Sequence, residues 1–197
     1  MSPWPATQVS VGDVITNTQL NLLPIRLATS GYLGAPQSTI VFSSIPQVFT
    51  HLRLEIRVIS TDPGTSATVG FQFNTDAASN YYSEVMKAAA ATVSSTETLG
   101  STFGILGSVP AAASLYAGST TVEIPDYTQL ASRHSWTSRY ILATAGTTGT
   151  LATGLAGGFW DDASGGGHAA AAISTIALVM SPGNFAAGSL ATLWGII

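Results

Sequence analysis

At 197 residues the chain is long enough for one domain with a sizeable core. Only 8% of its residues are charged and the net charge is −4, against about a quarter charged in an ordinary soluble domain. Six Lys and Arg scattered along the chain form no basic stripe to neutralise phosphates, which excludes nucleic acid as a partner. No cysteine is present, so disulfides and thiolate metal sites are excluded too. The most apolar run, Ala169 to Met180, is interrupted by Ser174 and Thr175 and is too short to insert in a membrane. The surface left by this composition is neutral, hydroxyl-rich and weakly protected against self-association. It reads either as a surface covered by other subunits or as the neutral exterior of a secreted protein. "MSPWPATQVSVGDV" has neither a basic n-region nor an apolar h-region, so no secretory signal is expected.

The N-terminal segment differs from the rest. Trp4 sits between Pro3 and Pro5, and Thr16 can cap a short helical turn through Gln19 and Leu22 that ends at Pro24. Residues 1–38 therefore read as a docking arm lying on the domain or on a neighbour, the alternative being a disordered arm.

From Thr39 to Ile197 the pattern has period two. In "HLRLEIRVIS", Leu52, Leu54, Ile56 and Val58 point one way while Arg53, Glu55 and Arg57 point the other. "TVGFQFN" repeats this with Val69, Phe71 and Phe73 inward. The Asp-Pro-Gly turn signal at Asp62 predicts that these two runs pair as a hairpin. Further strands are expected at Thr39–Ser43, Met86–Val93, Thr120–Ile124, Arg139–Ala143, Ile173–Met180 and Ser189–Ile196, the last two joined through "SPGNFAAG" as a closing hairpin. "PAAASLYAG" reads as a short helix or a loop. Short strands with little helix predict an all-β antiparallel sandwich, jelly-roll-like, with no second domain.

Four stretches carry polar or aromatic groups that bear on function. "GGFWDDASGGGHAAAAISTIALVM" sets Asp161, Asp162 and His168 around three glycines. That is a wide loop rather than a coordination shell, with Trp160 anchoring a strand end or a subunit contact. No G-x-S-x-G elbow, phosphate loop or facing carboxylate pair occurs, so no catalytic, cofactor or metal residues are assigned. "QFNTDAASNYYSEV" gathers Asn74, Asp76, Asn80, Tyr81 and Tyr82, amides and a carboxylate beside flat rings, which suits a saccharide contact. The same residues also suit a self-capped turn and a strand. "TVEIPDYTQLASRHSWTSRY" presents Tyr127, His134, Trp136 and Arg139, the composition of a subunit interface or of a closed sandwich end. Trp4 joins them as a candidate interface residue.

"VGDVITNTQLN", "HLRLEIRVIS", "QFNTDAASNYY", "VEIPDY" and "SPGNFAAGSLATLWGI" together resemble minor virion structural proteins of tailed bacteriophages, over nearly the whole chain. The resemblance implies a non-enzymatic, jelly-roll-like component that decorates the head or forms part of a tail fibre or tip. It also implies a shared turn at Asn74, Asp76, Asn80, Tyr81 and Tyr82, a second at Pro125, Asp126 and Tyr127, and a hairpin tip at Gly183, Asn184 and Phe185. Asp161 and Asp162 stand where such proteins often carry a basic residue. The expected partners are other virion proteins and further copies of the chain, a trimer being favoured. The alternative is a lectin-like module that recognises a host surface glycan.

Overall fold

The computed structural model describes residues 24–112, 117–143, 151–161 and 171–197. These form twelve strands and no helix: β1 (Ile25–Thr29), β2 (Thr39–Phe42), β3 (His51–Val58), β4 (Ser66–Phe73), β5 (Tyr81–Ala89), β6 (Thr92–Ser101), β7 (Gly104–Pro110), β8 (Gly118–Pro125), β9 (His134–Ala143), β10 (Leu151–Trp160), β11 (Ile176–Ser181) and β12 (Leu190–Ile196). An eight-stranded sheet has the order β1-β12-β3-β8-β9-β10-β5-β6 and a four-stranded sheet the order β2-β11-β4-β7. Every pairing is antiparallel. From β2 onward the chain crosses repeatedly between the sheets, singly or after a hairpin, which is the wrapping of a jelly-roll sandwich.

Alternation fixes which face of each strand is buried. In β3, Leu52, Leu54, Ile56 and Val58 are buried against the opposite sheet, each contributing roughly 1.5–3 kcal/mol. Arg53, Glu55 and Arg57 occupy the outer face, where Arg53 Nε meets Glu123 of β8 at 2.7 Å. That exposed pair contributes at most about 1 kcal/mol.

Alternation does not fix the neighbour, and two expected hairpins are absent. β3 pairs with β12 and β8, whereas β4 pairs with β11 and β7 in the other sheet. Likewise β11 and β12 lie in different sheets. Asp62–Gly64 and Pro182–Phe185 are therefore crossovers, and they are stitched to one another. The Thr61 amide donates to the Asn184 carbonyl at 2.8 Å, and the Asn184 amide returns a bond to Thr61 Oγ1 at 2.9 Å. Ser60 Oγ donates to the Pro182 carbonyl at 3.0 Å. Phe185, expected at a hairpin tip, is buried and bonds Gln37 in both directions.

Other expectations shift for local reasons. The strand expected at Met86–Val93 is two strands with a turn at Ala90 and Ala91, inside an alanine run that carries no turn signal. Ile25–Thr29, within the segment read as an arm, is an edge strand on β12, so the sandwich begins before residue 39. The helical turn expected through Gln19 and Leu22, together with Trp4, lies outside the described residues. In "PAAASLYAG", Pro110 closes β7 and Gly118 opens β8, and residues 113–116 lie outside the described residues.

The core contains an aromatic slab. Phe71 and Phe73 from the small sheet meet Tyr81, Trp136 and Trp160 from the large one, with Phe71 and Trp136 edge to face at 4.9 Å between centroids. Glycines make the space. A Cβ on Gly104 of β7 would stand 2.8 Å from the Trp136 ring, and one on Gly158 of β10 would meet that ring at 2.8 Å and the Tyr82 carbonyl at 1.9 Å. Gly158→Ala is therefore expected to destabilise the fold by about 3 kcal/mol or more, lowering Tm by roughly 6–12 °C. At Gly157, whose nearest neighbour is the Trp136 carbonyl at 3.1 Å, alanine should cost far less. Thermal unfolding of the two variants checks this, and equal losses would contradict the packing account.

Candidate functional site

The turn from Asn74 to Tyr82 links β4 of one sheet to β5 of the other, and its polar groups face inward to the fold. Asn74 and Thr75 both take left-handed backbone angles, φ +50° and +63°, a conformation asparagine tolerates better than most residues. Asn74 Oδ1 accepts bonds from the Ser174 amide at 2.8 Å and the Thr175 amide at 3.1 Å. Its Nδ2 donates to the Ala172 carbonyl at 2.9 Å. The side chain thus clamps the chain entering β11.

Asp76 is the centre of the turn. Oδ1 accepts the Ala78 amide at 2.8 Å, and Oδ2 accepts Asn80 Nδ2 at 2.9 Å and the Trp160 indole N–H at 2.7 Å. Burial alone pushes this carboxyl up, but the bonds from Trp160, Asn80 and Ala78 stabilise the anion and hold it below the usual carboxylate range. Tyr81 is fully buried. Its hydroxyl accepts the Phe73 amide at 2.8 Å and donates to the Asp76 carbonyl at 3.1 Å. Burial raises its pKa. Of the five residues singled out as a saccharide contact, Asn74, Asp76, Asn80 and Tyr81 are thus committed to holding the fold. Only Tyr82 has its ring on the outer face.

Of the two readings of the aromatic stretch, burial favours the closed sandwich over the interface. Tyr127, His134 and Trp136 are buried core residues, not an exposed interface. Tyr127 donates its hydroxyl to the Pro46 carbonyl, pinning the segment before β3. His134 and Trp136 open β9 on its inner face, where the imidazole stacks on Trp160 at 5.8 Å between centroids. Trp136 donates its indole N–H to the Ile105 carbonyl at 3.3 Å. Arg139 alone of this set is exposed, on the outer face. Trp160, as expected, anchors a strand end.

Two outer-face features replace the predicted ones. Tyr82 of β5 and Phe159 of β10, opposite one another in register, stack at 4.7 Å with 16° between planes. The Arg133 guanidinium lies 4.8 Å over the Phe159 ring and reaches Asp161 Oδ2 at 2.8 Å. Phe159 escaped sequence reasoning because "LATGLAGGFW" lacks alternation, although its nearness to Arg133 follows once β9 and β10 are paired. Beside it is an open depression of about 480 Å³, lined by Glu84, Met86, Glu123, Arg139 and Leu155 around Gly157. Chemically these are contact surfaces: a flat aromatic pair with a cation, and an apolar hollow rimmed by both signs of charge.

Among the described residues no three His, Asp or Glu side chains converge to hold a metal ion, and Asp162 and His168 lie outside them. No helix among the described residues is long and apolar enough to cross a membrane. The carboxylate of Asp76 gives the site its most direct test. Asp76→Ala leaves the buried Trp160 N–H without an acceptor, which should cost about 2–3 kcal/mol and lower Tm by roughly 4–12 °C. Because the folded pKa lies below the unfolded one, the stabilisation is complete above the ordinary carboxylate range and is lost as pH falls through the folded value. Acid unfolding of the variant should therefore be less steep below about pH 4. Equal Tm and equal acid sensitivity would remove Asp76 from this role.

No family model, curated protein or solved structure matches the chain.

Proposed function

We propose that the protein is a non-enzymatic structural component of a tailed-bacteriophage virion, either a head decoration or a module of a tail fibre or tip. It is assembled in the host cytoplasm and docks to other capsid or tail proteins through its N-terminal arm. The resemblance of its motifs to minor virion proteins supports this, as does the sparse charge of the chain. The observation that carries the reading is where that charge lies. Every charged residue within a strand belongs to the eight-stranded sheet, and the four strands of the small sheet contain none. The outer face of the small sheet presents Thr39, Val41, Val179 and Gln72, with Val41 54% exposed. A neutral face of this kind suits permanent coverage by a neighbouring protein.

The arm that docks is the chain ahead of Pro24, since Ile25–Thr29 belongs to the sandwich. Deleting residues 1–23 should leave a folded domain, with Tm close to that of the full chain, that no longer joins the particle. Incorporation of the truncated protein at normal occupancy would rule out docking through the arm.

A second reading is favoured by one observation, the stacked Tyr82 and Phe159 with Arg133 over the latter. Flat apolar rings beside directional charged donors suit a saccharide, so in this reading the face is a host-glycan contact of a receptor-binding module. Tyr82→Ala combined with Phe159→Ala is expected to reduce adsorption to host cells at least tenfold while particles still assemble. Unchanged adsorption would leave the structural role alone.

A further inference from the structure

Sheets with free edges join other chains unless the edge is short, kinked or covered. Three of the four edges among the described strands are managed in this way. β1 has five residues and an irregular register against β12. β2 has only four. β7 lies against β5, β9 and β10 of the opposite sheet and ends in proline. β6 is different: it has ten residues, TVSSTETLGS, without proline or lysine and with Glu97 as its single charge. Residues 92–97 are exposed on both faces. Its one irregularity, near Leu99 and Gly100, leaves the run from Thr92 to Thr98 in regular register with β5.

The geometry points to β6 as a twofold interface, pairing antiparallel with β6 of a second copy about Thr96. The turn at Ala90 and Ala91 makes Ala89 and Thr92 the first hydrogen-bonded pair of the β5–β6 hairpin. Alternation then directs the N–H and C=O groups of Val93, Ser95 and Glu97 away from β5, free to pair. With Thr96 on the axis, the outward groups of Ser95 and Glu97 meet those of the partner copy's positions 97 and 95, and the apolar and hydroxyl side chains meet their own kind. Val93 lies opposite the partner copy's position 99, a leucine, and these two residue types are 69% and 65% exposed in the single chain. Ser94 lies opposite position 98, a threonine, and Thr96 opposite itself, giving a hydroxyl ladder on the inner face. Glu97 faces position 95, a serine. An axis at Glu97 would instead set two carboxylates directly against each other.

This second copy is the occupant the strand itself specifies, because one sequence supplies both halves of each match. The symmetry is twofold, where the resemblance to virion proteins favoured a trimer. Glu84 lies opposite Glu97 within the hairpin, so pairing brings four carboxylates to one face. The dimer is therefore expected to tighten as salt is raised. Seven residues a side form a small interface, so the dimer should dissociate on dilution.

The test uses the full chain, whose lack of cysteine makes single-cysteine variants clean. Light scattering after size exclusion should move from 20.2 kDa toward twice that mass with rising concentration. Ser95→Glu, which opposes Glu97, should weaken the dimer about tenfold, and Ser95→Lys should tighten it by a similar factor. Thr96→Cys should cross-link on oxidation, since paired strands bring such positions within about 4.5 Å. Val93→Cys should not, being roughly 20 Å from its own copy. A monomer at every concentration, a trimer, indifference to charge at position 95, or equal cross-linking of both cysteine variants would each overturn the twofold pairing. These measurements need no virion, so their failure leaves the structural reading above untouched.

Discussion

Trp136 is where the two sheets are held together. Its indole lies between Gly104 of the small sheet and Gly158 of the large one, edge-on to Phe71, with its N–H bonded to the Ile105 carbonyl. A ring of this size between two sheets leaves no space for side chains on the strands that face it. That requirement explains Gly104 of β7 and Gly158 of β10, and Tyr140 repeats it: its ring occupies the space that side chains on Gly107 and Gly154 would need. The aromatic slab then continues through Phe73, Tyr81 and Trp160 to the turn at Asp76, so the packing of the core and the shape of the exposed turn are one system.

The consequence for function is that most of the polar and aromatic residues conspicuous in the sequence are spent inside the fold. Asn74 clamps β11, Asp76 holds Trp160, and Tyr127 fixes the segment before β3. What remains outside is a charged, gently apolar face on the large sheet and a neutral face on the small one. Such an arrangement offers contact surfaces in more than one direction.

The legible part of the fold was whatever one buried face imprints on a strand. β3 and β4 alternate because one side of each meets the core, and the all-β sandwich followed from many such runs. β10 is not legible, because Gly154 and Gly158 leave room for the Tyr140 and Trp136 rings of β9 and its other inward residues before Trp160 are alanines, which erases the alternation. β6 was not legible because both its faces meet solvent. Strand partners are not legible at the two crossovers, since a turn signal reports a reversal and not which sheet the next strand joins. For the site, residue types suggested a saccharide contact, yet Tyr81 and Tyr82 point to opposite faces, and only the sheet geometry shows that the first is core and the second stands beside Phe159.

The proposed place in a particle rests on a sandwich whose small sheet carries no charged residue in its strands. Its most direct test is the amount of this chain in particles purified from cells that express the gene in its native setting, measured by quantitative mass spectrometry. The account predicts a fixed copy number per particle that survives stringent purification, large for a head decoration and small for a tail component. A chain abundant in the lysate but missing from the purified particles would contradict it.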